Sequence, residues 1–213
     1  MKIKTIILVL FIVNFSFAQS NEAEMAEQIY KKLFKRQRAE QLEAIKSFRK
    51  ISSYEKQYSM IMLMAEKVFT VIQDSRATIE ASPYIPGVSD FPLDDRIKDA
   101  LSNILENTAL FSDIILRFPD ISVSVLRTNN NWDVLLQWSI AFCNQVRYLL
   151  DNSTIKALSL ASQELNHIER NANYFNPYRK QGPQLDPEVN PSKAKKKKKE
   201  IKKGPRLSSH SEL

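Results

Sequence analysis

Cysteine occurs once in this chain of 213 residues, at Cys143, histidine twice and glycine three times. A single thiol forms no intrachain disulfide, so the fold has to stand on its apolar core. One thiol with His167 and His210 makes no Cys/His zinc set, and neither a Ser/His/Asp nor a Cys/His nucleophilic arrangement is motivated. There is no glycine-rich phosphate loop. Two of the three glycines lie beyond position 181, so the body has almost no residue that tolerates positive φ, and an α-helical body follows. A long apolar run is missing as well. Ile6–Phe17 is twelve residues with Asn14 and Ser16 inside it, short of the ~20 that a membrane-spanning helix needs. No stable membrane insertion is expected.

Charge of one sign is not missing, but it is concentrated at the ends. Of 31 Lys/Arg and 24 Asp/Glu, residues 192–213 hold nine and two, giving +7 there, while Lys2 and Lys4 open the chain and residues 19–191 come to −2. The basic character belongs to the termini. Lys2 and Lys4 before an apolar run, followed by Ser16-Phe17-Ala18, make the three-part pattern of a secretory signal. Cleavage is expected between Ala18 and Gln19, and an uncleaved anchor is the alternative. At the other end His210-Ser211-Glu212-Leu213 differs from His-Asp-Glu-Leu only at Ser211, which reads as an address for the endoplasmic reticulum (ER) retrieval receptor. Ser211 lacks the usual carboxylate, so some secretion is expected.

Between the ends the chain reads as helices. Neither Pro nor Gly interrupts residues 21–82, and two helices are predicted there, about Glu22–Ile51 and Tyr54–Glu80, with a break at Ser52-Ser53. The first carries Ile29, Leu33, Leu42, Ile45 and Phe48, with a polar gap at Arg36, Gln37, Arg38 and Glu40. So thin a stripe suits the edge of a bundle or a partner surface. The second repeats apolar residues at Tyr58, Ile61, Ala65, Val68 and Ile72, widened by Met60, Met62 and Met64, whose commoner role is core filling. Pro83, Pro86, Gly87 and Pro92 make the next stretch a rigid loop. Asp94-Asp95 then starts a third helix with Ile97, Leu101, Ile104, Thr108, Phe111, Ile115 and Phe118 in strict heptad spacing, ended by Pro119. A short helix over Asp120–Arg127, an Asn129–Asn131 cap, a helix over Trp132–Leu150 expected to be central and a last one over Thr154–Ile168 complete the body. Cys143 is expected to be buried, His167 to face solvent, and Asn152-Ser153-Thr154 to be an exposed glycosylation acceptor at Asn152.

The predicted fold class is thus all-α: a compact bundle of about five to six helices over 19–171, after a signal peptide at 1–18. A Pro-rich strap over 172–191 and a disordered Lys-rich tail over 192–213 follow. The tail holds eight Lys between Lys193 and Lys203, and its run Lys195, Lys196, Lys197, Lys198 and Lys199 is the candidate partner-binding segment. No aromatic residues interleave with it, and a lumenal address keeps it from chromatin, so an acidic protein partner is expected rather than nucleic acid. No enzyme, cofactor or metal is expected.

Several short segments, in order, resemble the coiled-coil domain-containing protein 134 family. They are Ile29-Tyr30-Lys31-Lys32-Leu33-Phe34, Asp74-Ser75-Arg76, Glu106-Asn107-Thr108-Ala109, Leu116-Arg117-Phe118-Pro119, Asn131-Trp132, Trp138 through Phe142-Cys143-Asn144-Gln145, Lys203-Gly204-Pro205-Arg206 and the final Ser211-Glu212-Leu213. The resemblance implies a secretory-pathway protein with no catalytic residues, which dampens mitogen-activated kinase signalling and assists the lumenal ninety-kilodalton heat-shock chaperone. Two departures stand out: Asn144-Gln145-Val146 is not the sequon the family pattern has there, so Asn152 takes that role, and the terminal tetrapeptide begins with His210 rather than Gln. The reading is therefore an ER-lumenal adaptor or chaperone-associated factor, with a secreted helical ligand acting at a cell surface as its rival.

Overall fold

The computed structural model describes residues 2–179, with side chains from residue 21 onward. Among the described residues there are six α-helices, one 3₁₀ turn and no strand. They are α1 (Lys2–Phe48), α2 (Tyr54–Glu80), α3 (Asp95–Arg117), α4 (Pro119–Thr128), α5 (Asn130–Gln145) and α6 (Asn152–Glu164). The bundle is all-α, as the scarcity of glycine and the 3.6-residue periodicity predict. Lys195–Lys199 and His210–Leu213 lie outside the described residues. Ala18 and Gln19 fall within the single helix α1, where side chains are not described.

Four of the six helices start where a short polar side chain accepts a backbone N–H that the first turn leaves free. Ser53 caps α2 through Lys56 N–H, Asp94 caps α3 through Ile97 N–H, and Asp151 caps α6 through Thr154 N–H. The Asn129 side chain accepts from Asn131 N–H at 3.1 Å at the start of α5. Pro119 both ends α3 and opens α4. It has no N–H to continue the first helix, and its fixed φ suits the first position of the second, with Phe118 as the joint.

The core is organised around α3, which packs against the other five helices. This corrects the expectation that the helix beginning at Trp132 is central. Every residue from Phe111 to Phe118 is buried, because Ser112, Ile114 and Leu116 fill the flanks of the heptad stripe. In α5, by contrast, Asn131, Gln137 and Asn144 face water, and the α-helix stops at Gln145, ahead of a 3₁₀ turn over Arg147–Leu149. Phe69 of α2 meets Phe111 edge-on at 4.9 Å and stacks on Trp132 at 5.4 Å. In the loop after α2, Gly87 adopts φ +77°, and a Cβ there would come within 2.7 Å of the Gln145 carbonyl oxygen. The loop thereby lies directly on the end of α5, a contact only glycine permits.

The apolar stripe expected on α1 is corrected too. Ile29 and Leu33 are exposed, and the buried side is Ala23, Tyr30, Phe34, Arg38 and Ile45. Compact packing also continues past the expected boundary at 171, because residues as far as Arg179 belong to the same unit.

Candidate functional site

Arg38, assigned to a polar gap, turns out to lie on the buried side of α1, one turn beyond Phe34. Its guanidinium donates to the Asp113 carboxylate of α3, to Gln41 Oε1 at 2.6 Å and to Thr154 Oγ1 of α6 at 3.4 Å. Asp113 also receives Arg117 at 2.6 Å, so one carboxylate joins two guanidinium groups in a setting where all three side chains are buried. Such a cluster persists only when its hydrogen bonds are satisfied, because desolvating a charge is costly.

The first residues of the strap close this cluster from outside. The Tyr178 ring lies 4.0 Å from the Arg117 guanidinium. Asn176 donates to the Leu116 carbonyl and to Glu164 Oε2, both at 2.9 Å. Glu164 also accepts from the Tyr174 hydroxyl and pairs with Arg179 at 3.5 Å. The last turns of α3 and α6 leave carbonyls unpaired, and Arg170 takes two of those on α6, from Gln163 and Glu164. Between Arg38, Leu42, Asp113, Thr154, Leu160 and Tyr178 remains a cleft of about 250 Å³. Asn152, the expected glycan acceptor, is exposed in the first turn of α6 close to that cleft.

A second cavity of about 430 Å³ lies between α5 and α6. His167 lines it and is only 12% exposed, with Nε2 2.8 Å from Asp133 Oδ1; this corrects the expectation of a solvent-facing imidazole. The chain turns back after α6 through Asn166 at φ 58°, which brings the ring under α5. Ser162 beside it donates to the Leu158 carbonyl at 3.0 Å, and Asp133 accepts from Gln137 at 2.9 Å. These polar groups serve the packing of α5 on α6. Cys143 is buried, and burial pushes its thiol up to about 12, so the thiolate that thiol chemistry needs is suppressed. No metal-ligating group of His, Cys, Asp and Glu is found among the described residues, and no described helix is long and apolar enough to cross a membrane.

One open apolar surface is the outer side of α1. Met25, Ile29 and Leu33 are 67%, 56% and 59% exposed and follow one another at four-residue spacing. Most of the segments that carry the family resemblance map instead onto packing positions, among them Tyr30, Phe34, Thr108, Leu116 and Phe142. They specify the bundle.

A family profile described as "ERK and JNK pathways, inhibitor" matches residues 16–208. The chain belongs to this family. Curated relatives are named coiled-coil domain-containing protein 134. The one from Mus musculus is 37% identical over 198 residues, covering 87% of this chain and 86% of its own length. The one from Xenopus tropicalis is 36% identical over 208 residues, covering 92% and 90%. No solved structure matches. The family's description concerns inhibition of mitogen-activated kinase pathways, and its match takes in the helical body, the strap and the Lys run together.

The buried Arg38–Asp113–Arg117 cluster escaped the sequence reading. A signal for it exists, since Arg38 continues the Tyr30–Phe34 stripe and lies seven residues before Ile45.

Proposed function

We propose that the protein is a non-enzymatic adaptor of the ER lumen that lowers ERK and JNK signalling by working with a lumenal chaperone on proteins that signal to those kinases. The observation that carries this reading is the joining, in one chain of the ERK/JNK-inhibitor family, of a signal-like N-terminus and a retrieval-like His210–Leu213. The kinases of these pathways work outside the lumen. A lumenal inhibitor therefore acts upstream, on the supply of receptors or ligands. The Lys195–Lys199 run supports an acidic partner, because several tethered cations raise association rates even where each exposed pair contributes little. The exposed position of Asn152 supports its use as the glycan acceptor.

The test expresses wild type, Leu213→Ala and a variant with Lys195–Lys199 replaced by Gln in cells lacking the endogenous protein. Wild type is expected to begin at Gln19, to carry glycan at Asn152, to stay in the lumen and to reduce phosphorylated ERK. Leu213→Ala is expected in the medium without reducing ERK phosphorylation. The Gln variant should be retained and keep its melting temperature, yet capture less of the chaperone at low salt. Full inhibition by the secreted variant would overturn the adaptor reading in favour of a helical ligand acting at the cell surface.

A further inference from the structure

Past the core-facing side of α1, on the face turned to water, lies a second apolar stripe. We propose that it pairs two copies of this chain, antiparallel, about a two-fold axis at Ile29. The stripe runs Glu22, Met25, Ile29, Leu33 and Arg36, all exposed and all on one side of the helix. In an antiparallel pair centred on Ile29, Met25 of each copy faces Leu33 of the other. The same register brings Glu22 opposite Arg36, twice, at the two ends of the apolar stretch. One surface complements itself in shape and in charge, which is what a two-fold interface requires.

The parallel alternative sets Glu22 against Glu22 and Arg36 against Arg36, and like charges directly opposed disfavour it. Beyond Arg36 the face turns polar through Glu40, Glu43 and Ser47, and Arg36 is steered by Glu40 at 3.2 Å. The contact is therefore limited to about four turns, roughly 21 Å of helix. That is smaller than the interfaces of stable dimers, so the association is expected to be micromolar or weaker. The proposal is independent of where the protein resides or what it inhibits.

The chain offers a clean test, since its only native thiol, Cys143, is buried. Sedimentation equilibrium between about 1 µM and 1 mM should show a monomer–dimer equilibrium. Glu22→Arg or Arg36→Glu should each weaken it about tenfold, and the double variant Glu22→Arg/Arg36→Glu should restore it, with unchanged thermal melts throughout. Under mild oxidation Ile29→Cys should cross-link to itself, because position 29 lies on the axis. Met25→Cys should not, because its two copies stand about 12 Å apart along the pair. A monomer at every concentration would overturn the proposal. So would cross-linking of Met25→Cys as efficient as that of Ile29→Cys, or a double charge variant no better than the single ones.

Discussion

Asp113 is the one carboxylate between Arg38 and Arg117, so its loss strands two buried cations. Breaking a buried pair by removing one partner costs about 3–5 kcal/mol, a large part of the ~5–15 kcal/mol that keeps a domain folded. Asp113→Asn is expected to lose that much in urea denaturation, and Arg38→Met less, because Arg117 still holds Asp113. Asp151 behaves differently. Partial burial raises its carboxyl, but hydrogen bonds from the Ser153 hydroxyl and from the Thr154 N–H and hydroxyl, with the nearby Arg38 charge, bring it below the usual range. A carboxyl depressed in the fold binds its proton at higher pH in the unfolded chain, so its contribution is complete above the ordinary Asp value and is lost as pH falls through the folded one. Asp151→Asn retains a capping acceptor without the titration. Its stability deficit relative to wild type should shrink as pH falls below the ordinary Asp value of about 3.9, as followed by thermal melts.

At the scale of the helix, α1 has two apolar sides with different duties. Phe34 is buried against the body, whereas Leu33, one residue away, points to water. Phe34→Ala is expected to cost about 3–5 kcal/mol through transfer and cavity terms. Leu33→Ser should stay within about 0.5 kcal/mol in dilute protein. If the two variants melt together, the assignment of faces on α1 is wrong. The apolar pattern of α1 misled because Ile29 and Leu33 are stronger hydrophobic markers than Tyr30 and Arg38. Periodicity alone does not tell which of two stripes meets α3. The heptads of α3 and the stripe of α2 were legible because each repeats apolar residues at regular three- and four-residue spacing after a cap residue at its start. The central place of α3 was not legible, since it depends on which helices gather round it.

Across the whole molecule, the strap residues tie the ends of α3 and α6 together. Asn176 is buried and donates both to the Leu116 carbonyl and to Glu164. Asn176→Ala removes both bonds and leaves the Leu116 carbonyl without its side-chain donor, at about 1–3 kcal/mol. A matching fall in unfolding free energy is expected, together with earlier proteolysis near Tyr178. From the sequence this stretch reads as a linker, because Pro177 and the loss of periodicity are all it shows. Its side chains find their partners only once α3 and α6 stand side by side.

Local rules sufficed for much of this protein. Scarce glycine, helical periodicity and the caps at Ser53, Asp94, Asn129 and Asp151 determine an all-α chain and place the starts of α2, α3, α5 and α6, since these effects act within a few residues. Cys143 was readable as buried from its apolar neighbours. The tertiary structure alone decided that Arg38 meets Asp113, 75 residues away, that His167 turns under α5 to reach Asp133, and that Tyr178 covers Arg117. Each depends on which helix faces come together, and a charged or aromatic side chain takes its role from partners distant in the chain.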